Sequence, residues 1–274
     1  MLDIFHITGQ QDNVKIFYTQ GTTAWQTWQK PRNCKFIWIM CIGGGTGGGG
    51  GTSGTGGAGN APGGLGGTSG AITRALFPAN VLPDILYVQT GKGGAGGNPG
   101  VLGGVATNSI VSIVPSAASS INIVCFSGAA VATAGLLSLG NFTTTAGSFT
   151  ADVTPLVSTI VTAGVTAANG GPSSAVQTFS LTSVSLSNIT TPGYTQTNVN
   201  SGTPSNGPNG IAIWKPLFFI GGMGGGCFFQ NAGNGGNGGN GSYGCGGGGG
   251  GGAYNGIGGT GGSGGDGLVI IATF

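Results

Sequence analysis

Apolar residues along the chain are concentrated in short runs that begin or end beside glycine tracts. Residues 34–42 (CKFIWIMCI) are β-branched and aromatic up to the first glycine, which predicts a strand buried on both faces. The closing run 268–274 (LVIIATF) predicts another buried strand. Residues 85–89 (ILYVQ) and 211–220 (IAIWKPLFFI) predict two more.

Weaker alternation of apolar and polar positions predicts further strands around these runs. Residues 14–18 form a short strand ahead of a turn, and 25–29 alternate aromatic and polar side chains. Residues 109–114 and 121–126 predict a hairpin. Residues 71–83 interrupt the first glycine tract and are assigned no strand.

A Thr-, Ser- and Val-rich stretch with far fewer glycines, 136–210, is predicted to be an insertion. A short helix over 150–163, with Pro155 in its first turn, is an alternative to strands there. The turn-rich 188–210 predicts an exposed loop. The strands predicted in this stretch are 149–153, 157–165 and 176–186.

Glycine supplies 65 of the 274 residues, against about 7% in an average protein. The tracts have a period: 234–241 is NGGNGGNG and 258–267 is GGTGGSGGDG. A three-residue repeat matches the polyproline II helix, which has no internal hydrogen bonds. Side-by-side packing would let such helices bond to one another, with glycine on two edges and Asn, Thr, Ser or Asp facing outward.

These patterns predict an all-β fold with packed polyproline II (polyglycine II) helices. Strands arranged like a β-sandwich would clamp a glycine-rich bundle, with essentially no α-helix. We expect an N-terminal arm at 1–13, a glycine-rich domain formed by 14–135 and 211–274, and the Thr/Ser-rich β insertion at 136–210.

Three other interpretations of the glycine tracts fail. Collagen needs Gly at every third position with frequent Pro, and flexible linkers are less apolar than this chain, whose mean hydropathy is +0.26. Strand 36–42 followed by GGGTGG satisfies a dinucleotide-binding pattern, but no helix follows and no acidic residue lies about 20 residues on. Lys92 precedes Gly rather than Ser or Thr, so the phosphate-loop pattern fails too.

Charged residues make up 4% of the chain, with seven Lys/Arg and five Asp/Glu. This is too few for a usual active site and a solvated surface, so we expect no enzyme activity and no cofactor. A net charge of +2 favours neither nucleic acid nor membrane surfaces, and no run of about 18 apolar residues or secretory signal is found. Five cysteines without a CxxC pair favour reduced thiols.

Candidate contact residues are few. Lys30, Arg32 and Lys35 form the one basic cluster, expected at a turn, either solvated or in an assembly contact with an anionic surface. Aromatic side chains in the third tract and the insertion either seal the glycine bundle or stack on sugar rings of a receptor; these are Tyr194, Phe228, Phe229, Tyr243 and Tyr254. The single histidine, His6, suggests no metal site.

Two ends of the chain carry a family resemblance. FYTQGTTAWQTWQKPRNCKFIWIMCIGGGTGGGGG and the closing GGTGGSGGDGLVIIATF resemble the glycine-rich domain found in many bacteriophage structural proteins. The middle segments ILYVQTGKGGAGG and NSIVSIVPSAASSINIVCFSGAA are similar to the internal strands and glycine segments of that domain. Residues 136–210 depart from it. The resemblance implies a virion surface role such as a tail fibre, adhesin, baseplate or capsid appendage.

The expected function is therefore that of a virion surface structural protein, a tail-fibre or adhesin subunit that holds receptor-binding loops on a rigid scaffold. Its expected partners are copies of itself, other virion proteins and a host glycan or protein receptor. A self-assembling subunit of a capsid decoration or extracellular filament is the alternative. Ice binding by a regular Thr/Ser face is a remote one.

Overall fold

The structure, a computed structural model, is all-β, as predicted. It describes residues 13–20, 24–54, 61–117, 122–128, 206–214, 217–226 and 233–274, and the backbone of seven further short strands. Within these residues the 3-10 turn Ala79–Val81 is described in full, and there is no α-helix. The strands are β1 (Val14–Phe17), β2 (Gln26–Gln29), β3 (Phe36–Ile42), β4 (Ile72–Pro78), β5 (Ile85–Gln89), β6 (Ser109–Ser112), β7 (Ile123–Ser127), β8 (Ala132–Ala134), β9 (Thr143–Thr145), β10 (Thr159–Val161), β11 (Gln177–Leu181), β12 (Ser185–Leu186), β13 (Ile189–Thr190), β14 (Tyr194–Asn198), β15 (Ala212–Trp214), β16 (Leu217–Phe219) and β17 (Leu268–Thr273).

Two antiparallel five-stranded sheets form the β part. Their strand orders are β1-β17-β3-β4-β9 (sheet A) and β2-β5-β6-β7-β8 (sheet B). A shared core cluster includes Ile39, Phe77 and Val269 from sheet A and Val88 and Val111 from sheet B, all essentially buried. The other face of sheet A packs a second cluster that includes Phe219. Sheet A is thus covered on both faces, which explains the continuous apolar runs of β3 and β17.

The strongest apolar runs were correctly predicted as strands, and the longest strand that was missed is β4. β4 pairs with β3 along its full length although its sequence, ITRALFP, contains Arg74 and ends in proline. Pro78 ends β4 beyond Ile72–Arg74, the part that pairs with β9, so it occupies an edge position where a missing N–H donor is tolerated. Ile72 belongs to the second core cluster and Phe77 to the first, on the two faces of sheet A. Burial of both side chains therefore stabilises a strand that the local sequence pattern indicates only weakly.

The predicted insertion contributes strands to neighbouring sheets. β9 pairs with β4 at the edge of sheet A, and β10 runs parallel to β16. The helical alternative over 150–163 is wrong at β10, and the loop expected over 188–210 is wrong at β14, which pairs with β11. In both places the strand forms because a partner distant in the sequence provides its backbone hydrogen bonds. Local propensity cannot indicate such a partner. The predicted strand 149–153 and the arm residues 1–12 lie outside the described residues.

The glycine tracts form extended segments that we call rods. They hydrogen-bond to one another through the backbone, and donors to a given neighbour recur every third residue: Gly45, Gly48 and Gly51 donate to rod 9. This is the period of a polyproline II helix. The rods are rod 1 (43–54), rod 2 (61–70), rod 3 (91–98), rod 4 (101–107), rod 5 (206–210), rod 6 (220–226), rod 7 (233–242), rod 8 (244–253) and rod 9 (256–267).

Strand pairing continues into the rods without a register shift. In sheet A, Ile42 pairs with Leu268, and Gly45, three residues on, donates to Gly265, three residues back. The β3–β4, β5–β6 and β17–β3 pairs all pass into rod pairs in this way. The apolar strands therefore fix the alignment of glycine segments that have no side chains to fix it themselves.

Rods 1 and 8 lie in the interior of the rod bundle. Rod 1 exchanges hydrogen bonds with rods 2, 3, 4, 8 and 9, and rod 8 does so with rods 1, 2, 6, 7 and 9. A Cβ added at Gly45 would lie 2.0 Å from the carbonyl oxygen of Cys245. These contacts explain why the two segments read GGGTGGGGG and CGGGGGGG, whereas an outer rod such as rod 7 carries Asn at every third position.

Candidate interaction surfaces

The side chain of Lys30 makes contacts within the protein. Its side chain is 17% exposed, and its Nζ lies 3.0 Å from Asp84 Oδ1. The same ammonium donates to the carbonyl oxygens of Ala79 (3.0 Å) and Leu82 (2.7 Å). It ties the end of β2 to the turn after β4, so Lys30 has a structural role in addition to its charge.

Arg32 and Lys35 are exposed on the turn that follows. Asn33 between them has φ of 69°, a left-handed turn conformation that Asn tolerates. The turn borders a shallow pocket of about 360 Å³ lined by Gln29, Lys30, Pro31, Arg32, Asn33, Cys34, Ala79, Asn80 and Asp84. The structure thus separates the predicted basic cluster into one internal cation and two exposed ones.

Tyr243 belongs to an aromatic cluster against the second face of sheet A. Its ring centroid lies 5.8 Å from Tyr18, 5.7 Å from Trp214 and 5.8 Å from Phe219. Partial burial, then Tyr18 and Asp266, raise the pKa of the Tyr243 hydroxyl. Such contacts are those of an edge-sealing residue, one of the two roles expected for it.

Of the other predicted aromatic residues, only Tyr254 has a described side chain, and it takes no part in this cluster. Tyr254 is partly buried in the bend after rod 8, at the end of the rods away from the strands. Tyr194 begins β14, opposite Leu181. Phe228 and Phe229 lie outside the described residues.

Asparagine side chains connect three neighbouring outer rods. Asn206 Oδ1 of rod 5 accepts the N–H of Asn237 (2.8 Å), and Asn237 Oδ1 of rod 7 accepts the N–H of Thr260 in rod 9 (3.0 Å). Asn209, Asn240 and Ser263 repeat this relay one period along. The sequence predicted outward-facing side chains at Asn237 and Asn240 and an exposed loop at 206–209, but not that these carboxamides would accept lattice hydrogen bonds.

An apolar edge, formed by Leu65, Val101, Leu102 and Val105, runs along rods 2 and 4. These side chains are 63%, 56%, 78% and 86% exposed. They replace the polar residue that an outer rod usually presents. The signal in the sequence was VLGGVA at 101–106, which was assigned no strand and no contact role.

In the part of the chain that the structure describes, we find neither a metal-binding cluster nor a membrane-spanning helix. No three His, Cys, Asp or Glu side chains there are grouped to hold a metal ion. No helix among those residues has the length and apolar character needed to span a bilayer.

A family model for a glycine-rich domain matches residues 19–273. Comparison with curated proteins gives no match.

Proposed function

Because the chain belongs to the glycine-rich domain family, we propose that it is a virion surface structural protein, a subunit of a phage tail fibre or adhesin. The bundle of hydrogen-bonded rods carries this proposal. At positions such as Gly45, Gly48 and Gly248 of its two interior rods, an added Cβ would overlap the backbone of a neighbouring rod, so the bundle is a rigid support rather than a container for a ligand or an active centre.

The topology leaves one end of the rods available for receptor contact. Rod 3 leaves β5, turns at residues 98–101 and returns as rod 4 to β6. This turn and the bend that carries Tyr254 therefore lie away from the strands that anchor the rods. A receptor, a host glycan or protein, would be bound there weakly by each copy and firmly by several copies on one particle.

A self-assembling subunit of a capsid decoration or extracellular filament is the second candidate. The apolar edge favours it, because exposed aliphatic clusters on proteins mark contact surfaces. Its copy number would be far higher than that of a tail-tip protein.

Immunogold electron microscopy tests both candidates. An antibody raised against the purified chain is applied to virus particles from the source that encodes it. Label restricted to the tail tip supports the adhesin, and label over the whole capsid or along filaments supports the second candidate. Absence of label from particles, with the chain detected in the same lysate by immunoblot, would overturn the virion assignment.

A further inference from the structure

The outer side of rod 4 is an open edge of the rod bundle, where no further rod lies beside it in the described part of the chain. Its donors to rod 3 are the N–H groups of Val101, Gly104 and Thr107, one in every three residues. The N–H groups of Leu102 and Val105 follow the same repeat, and they, like those of Gly103 and Ala106, donate to no protein atom in the described part of the chain. A threefold helix turns by about 120° per residue, so these two donors face a different side from the one that rod 3 occupies.

That side is exposed. A Cβ at Gly103 would meet rod 1, 2.0 Å from the oxygen of Gly47, and the Cβ position of Gly104 lies against Ala95 of rod 3. Leu102 and Val105 stand on the remaining side, 78% and 86% exposed. Rod 4 is therefore packed on two sides and open on the third.

Leu65 and Val101 extend this open side into one apolar surface. Both flank Gly49 of rod 1: a Cβ there would lie 3.5 Å from Leu65 N and 3.7 Å from Val101 O. Rods 2 and 4 contain no charged residue. Proteins usually protect open edges with charges or proline, and neither is present on rod 4.

We propose that a second copy of this chain covers the apolar edge, with rod 4 of one copy beside rod 4 of the other. Rod 4 already bonds to two antiparallel neighbours, rods 1 and 3. A twofold axis beside the edge makes the two copies of rod 4 antiparallel, so the lattice geometry can continue across the interface. Each copy then supplies carbonyl acceptors at the repeat of the other copy's free donors and an apolar surface for its aliphatic side chains.

The expected association is moderate. A stable dimer buries about 800 Å² on each partner, and a seven-residue rod is about 22 Å long, so rod 4 and Leu65 supply only part of that area. We therefore expect dimers that form at micromolar concentration rather than a permanent pair. This inference deepens the self-assembly proposed above, but it is tested on the purified chain and does not depend on finding a particle.

Sedimentation equilibrium of the purified full chain tests the proposal with charge variants. Leu102→Asp/Val105→Asp should weaken dimerisation by at least about tenfold, because the twofold axis brings like charges together. Ile257→Asp is the matched control: Ile257 is 59% exposed on rod 9, and rod 3 separates that rod from rod 4. It should dimerise like the parent chain. Thermal unfolding verifies that all variants fold.

A pair of variants with opposite charges tests whether the dimer forms through rod 4. Mixing Leu102→Asp/Val105→Asp with Leu102→Lys/Val105→Lys should restore dimers that neither variant forms alone. A parent chain that stays monomeric up to about 100 μM, well above a micromolar Kd, would overturn the proposal. So would a dimer unaffected by the Asp pair, equal loss in the Ile257→Asp control, or failure of the mixture to associate.

Discussion

Gly48 and Gly248 lie so close across the two interior rods that a Cβ on Gly48 would be 2.0 Å from the carbonyl oxygen of Gly248. Real Cβ atoms do not approach backbone oxygens this closely. The two rods can be neighbours only because neither has a side chain at the contact. Close backbone approach, rather than turn formation, is the reason for glycine at this position.

Gly48→Ala should therefore destabilise the protein by about 3 kcal/mol, because the rods must separate to accept the methyl group. Gly49→Ala is a matched control one residue away, where the nearest atom to a Cβ would be 3.5 Å distant. It should leave stability unchanged or raise it by up to about 1 kcal/mol through a less flexible unfolded chain. Urea unfolding of both variants measures the difference, and equal losses would contradict the interior placement of rod 1.

The asparagine relay predicts an effect at the surface. Asn237→Ala removes the acceptor of the Thr260 N–H and should reduce the free energy of unfolding by about 1 kcal/mol. Asn98→Ala, at an exposed position whose side chain makes no hydrogen bond in the described residues, should change it by less than about 0.5 kcal/mol. The same denaturation experiment checks both. If the asparagine hydrogen bonds did not stabilise the protein, the two variants would have the same free energy of unfolding.

The same rods should protect Asn-Gly sequences from deamidation. The reaction needs the glycine nitrogen after Asn to attack the side-chain carbonyl, but the Gly238 N–H is bound to Thr260 O at 2.8 Å and Asn237 Oδ1 accepts a second hydrogen bond. Asn255–Gly256 lies in a bend where Gly256 donates to no atom of the described residues. Mass spectrometry of aged native protein should find deamidation at Asn255 before it appears at Asn237. Equal rates at Asn237 and Asn255 in the native chain, as expected in denaturant, would show that the rods give no protection.

Cys41 predicts a pH dependence of stability. Complete burial, then the hydrogen bond and charge of Cys125, raise its pKa well above the ordinary value of 9.0. The unfolded chain loses this proton at lower pH than the folded chain does, so its contribution is fully present below about pH 9 and is lost as pH rises further. Unfolding under reducing conditions between about pH 7.5 and about pH 10 should show a steeper fall for the parent chain than for Cys41→Ala. Parallel pH profiles would contradict the burial of an ionisable thiol here.

The sequence predicted the parts of the fold that local patterns encode. Apolar runs located β3, β5 and β17, and the NGG repeat indicated a three-residue period in rod 7, where the hydrogen bonds have that period. That the rods adopt polyproline II backbone angles stays a prediction. The positions of rods 1 and 8 inside the bundle could not be predicted from the sequence. An uninterrupted glycine run has no side-chain pattern that would indicate which rods lie beside it.

The candidate surfaces were predicted less well, for a related reason. The ion pair and two carbonyl contacts of Lys30 join segments about 50 residues apart, which a local charge cluster cannot reveal. Tyr243 meets Trp214 and Tyr18 only because the sheets bring distant segments together. Val105 follows a glycine tract and was given no role, because its significance depends on which side of rod 4 is open.

Amide hydrogen exchange followed by NMR tests most directly whether the glycine tracts form a hydrogen-bonded bundle. The N–H groups of Gly45, Gly48 and Gly51 donate to rod 9 at 2.9 Å each, whereas those of Asn98 and Asn209 donate to no protein atom in the described residues. The three glycine amides should exchange at least about 1,000-fold more slowly than the two asparagine amides, because they open only with the whole fold. Exchange of the glycine amides as fast as that of the asparagine amides would contradict the bundle.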